Sequence, residues 1–190
     1  MKVQSIIPSK SVRKLGPREG KTVQIGNARL TWKARGEDTG YATSMYEMDL
    51  APGNGIPIHS HPYAEVFYVV QGQTDFATIN DKGEEEWLRC AAGETVIVPI
   101  NRLHAFHNRT DKPSRFLSFS VYYHQVLFDR LAQEVDVDSS QIVTTAADPQ
   151  EYIQLMQEAL KQDMYFPQAT SSDGRDVLQE LKNRTTVVGV

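Results

Sequence analysis

Within the stretch GNGIPIHSHPYAEVFYVVQG (residues 53–72), His59, His61 and Glu65 carry side chains able to hold a metal or move a proton. They stand at the mouth of the apolar run EVFYVV, where burying polar groups is costly unless something compensates them. Residues two apart on a strand share a face, so His59 and His61 can point together. Glu65 keeps their parity, although Pro62 interrupts the strand between them. A second segment, GETVIVPINRLHAFHN (residues 93–108), places His104 on an apolar strand just behind the turn residues Pro99 and Asn101.

The elements that position these residues follow from the pattern around them. Residues 1–21 read as an extended, locally basic arm. From 22 to 123 the chain runs as short strand-like segments separated by turns: TVQIGNARLTWKARG, YATSMYEMDL, EVFYVVQG, TDFATIN, EEWLRC, TVIVP, LHAFHN and RFLSFSVYY. The turn NDKGEE after Ile79 predicts a hairpin. Many short strands at this spacing predict an antiparallel sandwich or barrel. Residues 124–190 change to helical periodicity. Leu127, Phe128, Leu131 and Val135 form one amphipathic stripe; Asp148 and Pro149 open a second helix with Tyr152, Leu155, Met156, Ala159 and Leu160 on one face. DGRDVLQELKNR predicts a third, short helix. The expected architecture is mostly β, a single barrel with a helical C-terminal extension packed on it.

The two segments resemble the cupin motifs. The first family pattern, Gly, five residues, His-x-His, three residues, Glu, six residues, Gly, is met by Gly53, His59, His61, Glu65 and Gly72. The second, Gly, five residues, Pro-x-Gly, two residues, His, three residues, Asn, is met by Gly93, Pro99, His104 and Asn108. Asn101 stands where the family usually has glycine, and asparagine tolerates the positive φ such a turn requires. The resemblance implies a double-stranded β-helix, or jelly-roll, barrel. It also implies one divalent metal per chain, Fe, Mn, Co or Ni in preference to Zn, held by His59, His61, Glu65 and His104. Glu65 would double as a proton acceptor, and open coordination positions would admit a ligand.

The phrase HSHPYAEVFYVVQG and the helical extension are similar to small single-domain cupins of the quercetin dioxygenase-like group. In that group helices can form a lid over the barrel mouth. The expected function is a metal-dependent oxygenase of the flavonol-cleaving or a related type, acting on a small aromatic or enolisable substrate. The alternatives are a non-enzymatic metal-centred binding or sensing module, or an isomerase or cyclase. Sugar-phosphate isomerases of this kind want basic groups in the pocket, and Arg102 is the only one beside the ligands.

Other residues carry blander readings. Tyr46, Met48, Phe67, Val69 and Phe106 share the ligands' phase and either line a substrate pocket or simply fill the barrel. His107 has the opposite parity to His104 and is expected to face outward or meet a loop, while His124, between the last strand and the first helix, is expected at the surface or as a cap. Cys90 is expected as buried filler, and one cysteine cannot form an intramolecular disulfide. A net charge of −4 gives no footprint for nucleic acid. The start MKVQSIIPSKSVRK lacks a signal-peptide core and no apolar run has membrane-spanning length, so a cytoplasmic protein is expected, with a homodimer as its assembly.

Overall fold

In the computed structural model, residues 11–25, 28–134 and 157–167 are described. Strict alternation builds the sandwich. Along β5 (Glu65–Gln71), Glu65, Phe67 and Val69 are buried while Tyr68 and Val70 are exposed. Along β10 (Ser114–Val121), Ser114, Phe116, Ser118 and Ser120 turn inward. A strand written this way has one face for the core and one for the outside.

The other strands are β1 (Thr22–Ile25), β2 (Ala28–Ala34), β3 (Thr43–Leu50), β4 (Gly55–His59), β6 (Gln73–Ile79), β7 (Glu85–Ala91), β8 (Thr95–Val98), β9 (His104–His107) and β11 (Gln133–Glu134). They form two antiparallel sheets, in the orders β11-β1-β2-β3-β10-β5-β8 and β4-β9-β6-β7. The mostly-β jelly-roll expected from the sequence is the fold observed. The core between the sheets is aromatic: Phe67, Phe76, Phe106 and Phe116 meet with ring centroids 5.0–6.3 Å apart. Burying one such ring is worth roughly 1.5–3 kcal/mol.

Three local readings are refined. The single run expected over residues 22–36 is two strands, paired with Thr22 opposite Thr31 and Ile25 opposite Ala28. Its signal was the Gly-Asn dipeptide at 26–27, a turn pair. The strand expected through His59 and His61 is β4, which ends at His59 and leaves His61 in the loop; its Pro57 removes a ladder donor, which an edge strand tolerates. The hairpin between β6 and β7 is present, with Ile79 opposite Glu85.

The first helix of the extension, α1 (Tyr122–Leu131), buries Leu127 and Phe128 as its stripe requires. It ends before Val135, and the next residues pair with β1 as β11. Of the second predicted helix, residues 157–161 are helical, with Ala159 buried but Leu160 38% exposed, so Leu160 leaves the predicted stripe. Residues 1–10 of the arm, residues 148–156 of the second helix, Val135 and the third helix lie outside the described residues. Among the described residues no helix is long and apolar enough to cross a membrane.

Candidate metal centre

Each candidate ligand arrives from a different part of the sandwich. His59 ends β4 and lies directly opposite His104, the first residue of β9. His61 follows in the loop after β4, and its carbonyl accepts a 2.8 Å hydrogen bond from the backbone N–H of Asn101. Asn101 has φ of 59°, the left-handed turn conformation expected at this position, so the second-motif turn is fastened to the first motif. Glu65 opens β5 on the facing sheet.

The three imidazoles converge. One ring nitrogen from each of His59, His61 and His104 lies within 4.8 Å of the others, a spacing that could hold a metal ion. All three residues are buried, at 2–3% exposure. Their Nδ1 atoms lie 3.0, 2.8 and 2.9 Å from the carbonyls of Pro57, Tyr63 and Arg102. A carbonyl accepts only, so each Nδ1–H is the donor, the tautomer that in a neutral imidazole leaves Nε2 free to ligate. Such an outer hydrogen bond fixes the tautomer and ring orientation that a metal-binding histidine needs. Burial, and then the neighbouring His104 ring, hold His59 well below its ordinary pKa, so it stays a neutral donor.

Glu65 lies beside the three imidazoles but outside the group of mutually close donor atoms. Its Oε2 lies 3.2 Å from His61 Nε2 and 3.8 Å from His104 Nε2. Its Oε1 accepts from Ser118 Oγ and, at 3.4 Å, from the Tyr46 hydroxyl. Burial opposes ionisation of this carboxyl, but His124, His104 and His61 outweigh it and hold Glu65 well below the usual carboxylate range. His61 Nε2 and Glu65 Oε2 lie 3.2 Å apart, a contact that either a proton on the imidazole or a cation between them satisfies. His104 Nε2 is buried with no hydrogen-bond partner. A cation among these atoms would satisfy both conditions, so the donor set fits a divalent metal.

The sequence reading missed several neighbours of this centre. His124, expected at the surface, is 5% exposed and sits 3.5 Å from Glu65 Oε1. The first turn of α1 folds it inward against Tyr46, Tyr63 and Phe128. Burial lowers its pKa to about 4, so it too is neutral. Tyr63 stacks on His61 at 4.1 Å, and Phe166 stacks on His59 at 5.3 Å. His124 and Phe166 approach from distant segments, so no local pattern marks them beyond His124's residue type, whereas Tyr63 stands two residues after His61 within the first motif.

Of the suggested pocket residues, Tyr46 touches Glu65 and Phe67 lies 6.4 Å from the His104 ring, while Met48, Val69 and Phe106 belong to the buried hydrophobic core. His107 is half-buried against Gly55 on the edge of the second sheet. Arg102 donates to Thr78 Oγ1 and Ile79 O at an exposed position, so it brings no cation to the ligands. Asn108 is wholly buried and ties its loop by donating to Leu50 O and Lys112 O. Cys90 is buried and free.

Residues 46–120 match the family described as a cupin domain. Germin-like protein 5-1 of Oryza sativa subsp. japonica is 34% identical over 76 residues, covering 40% of this chain and 34% of that protein. Auxin-binding protein ABP19b of Prunus persica is 26% identical over 117 residues, covering 54% and 56%. The chain therefore spans between about a third and a little over half the length of these relatives. Among solved structures, a predicted oxalate decarboxylase from Thermotoga maritima superposes with a TM-score of 0.49 at 19% identity, over 57% of this chain and 98% of that one. The matched stretch runs from within β3 to within β10 and contains both motifs, the Asn101 turn and the converging imidazoles. Over residues 46–120 the chain is thus similar to cupin domains, and that likeness is what supports a cupin assignment.

Proposed function

We propose that this chain is a divalent-metal-dependent cupin enzyme, an oxygenase acting on a small aromatic or enolisable substrate. The observation that carries the proposal is the convergence of three Nδ1-anchored imidazoles, two of which lie 3.2 and 3.8 Å from the buried Glu65 carboxylate. His59, His61, His104 and Glu65 would hold the metal. Bound Fe, Mn, Co or Ni would supply Lewis acidity and redox chemistry with dioxygen at this position.

The protein's own groups fit the remaining work. Ser118 and Tyr46 hold Glu65 Oε1, which leaves Oε2 facing the imidazoles and able to ligate or to accept a proton from an enol or phenol. Burial keeps the Tyr46 and Tyr63 hydroxyls protonated, so they serve as donors. The rings of Tyr63, His124 and Phe166 exclude water and offer flat faces to a planar substrate. Outward-facing Tyr68, Ile97 and Phe119 on β5, β8 and β10 support a homodimer as part of the proposal.

A second reading, a non-enzymatic small-molecule binding module, is favoured by one observation: a matched relative is named as an auxin-binding protein. One experiment separates the two. The chain is loaded in turn with Fe(II), Mn(II), Co(II) and Ni(II), and dioxygen uptake is followed against a panel of small enolisable acids, catechols and flavonols. Uptake that depends on His104 and falls in Glu65→Gln supports the oxygenase. Binding with every compound recovered unchanged transfers the conclusion to the binding module.

A further inference from the structure

The free edge of β4 is covered from an unexpected direction. Within its sheet β4 pairs only with β9, so its outer edge is open to another segment. Residues 157–167 take that place. Ser60 N–H donates to Tyr165 O and Tyr165 N–H donates to Ser60 O, both at 2.8 Å, a reciprocal antiparallel bridge. Ser60 is the residue between His59 and His61, so this bridge grips the backbone that carries two of the candidate ligands.

The segment has a clear inner face. Ala159, Gln162, Met164 and Phe166 are 1–4% exposed, whereas Leu160 and Tyr165 are 38% and 46% exposed. Directly after the bridge, the Phe166 ring lies over His59 with an interplanar angle of 22°. The wall beside His59 is thus made by a residue outside the matched cupin stretch. Burial of those four side chains holds the segment, and among the described residues an exposed Arg130–Glu158 pair at 3.3 Å adds little to its tie to α1. Gln162 Oε1 is buried with no hydrogen-bond partner, a cost that opening would relieve.

We infer that Phe166 is the specificity-determining residue of the metal site: its ring sets the largest ligand that fits beside His59, and small ligands are admitted in preference to bicyclic ones. This rests on the metal reading above and narrows it. A bulky aromatic on a wall discriminates by size because an oversized ligand must displace it and break the Ser60–Tyr165 bridge.

The test uses the full chain loaded with Co(II), whose visible absorption reports ligands entering the metal's coordination sphere. Formate, acetate, benzoate and 1-naphthoate are titrated into the wild type and into Phe166→Ala, Phe166→Leu and Phe166→Trp. In the wild type, formate and acetate are expected to bind at least ~10-fold more tightly than 1-naphthoate. Phe166→Ala should tighten 1-naphthoate at least ~10-fold while changing formate by less than ~3-fold, with Phe166→Leu between. Phe166→Trp should weaken acetate and benzoate. If Phe166→Ala does not fold, the Leu and Trp variants decide. Cobalt uptake with the same ligand ranking in all variants overturns the inference alone. Failure of the wild type to take up cobalt overturns the metal reading, and the inference falls with it.

Discussion

Among the described residues Asp49, Glu65 and Asp75 are buried carboxylates, and the surroundings of the first two differ in kind. Asp49, near the end of β3, lies in register with Arg29 on β2 and Arg115 on β10. Arg115 Nε donates to it at 2.7 Å, Arg29 at 3.3 Å, and Arg18 forks onto both oxygens at 3.1 and 2.7 Å. Guanidinium is charged at every accessible pH and has no lone pair to offer, so this cluster is complete as it stands. Glu65 has ion-pair partners too, but all are imidazoles. Three Nδ1 atoms are already committed to backbone carbonyls, and His59 and His124 are held neutral by burial. The first cluster joins three strands and the arm; the second presents donors to something not made of protein. The kind of base around a buried acid separates a structural network from a binding site.

The comparison can be broken or sharpened by measurement. The largest effect should come from His104→Ala, which is expected to abolish stoichiometric metal by mass spectrometry; retained metal would remove the contrast. Next, a chelator should lower the melting temperature of the metal-loaded wild type by ~10 °C, the scale set by saturating ligand acting on a chain of this size. The same chelator should leave His104→Ala unmoved. Asp49→Asn should cost ~2 kcal/mol in chemical unfolding, because it strands arginines that share one carboxylate, and should leave metal content unchanged. Loss of metal in that variant would mean the two clusters are not independent.

The Asp49 contribution should also depend on pH. Burial raises its pKa, but the hydrogen bonds from Arg18 and Arg115 outweigh that and lower it from the ordinary 3.8. A carboxyl with a depressed folded pKa contributes its stability above the unfolded value and loses it as pH falls through the folded one. The gap between wild type and Asp49→Asn should therefore be full at neutral pH and close in acid, as read by unfolding midpoints across that range. The smallest effect belongs to Ser118→Ala, which removes a hydrogen bond to Glu65 Oε1. It should weaken metal binding ~10-fold in a competition titration without changing the fold.

Much of this was legible in the chain. Glu65, Phe67 and Val69 point inward because a strand alternates, and the turn at Asn101 was readable from asparagine's tolerance of positive φ. The ligand candidates were marked by residue type and spacing within two short segments. Other parts were hidden for physical reasons. Where β4 ends was hidden, because an edge strand carrying Pro57 gives no continuous propensity signal. His124 gave the same parity-free reading as any histidine at a strand–helix junction, and only the docking of α1 turned it toward Glu65.

By itself, then, the sequence determined which groups are donors and which face of each strand they occupy, because both depend on residue type and local backbone geometry. Only the tertiary structure decided the company those donors keep. Ser118 reaches Glu65 across 53 residues of chain, Tyr165 meets Ser60 from beyond the barrel, and Phe166 covers His59. Such contacts rest on sheet register and loop closure, which no local periodicity encodes.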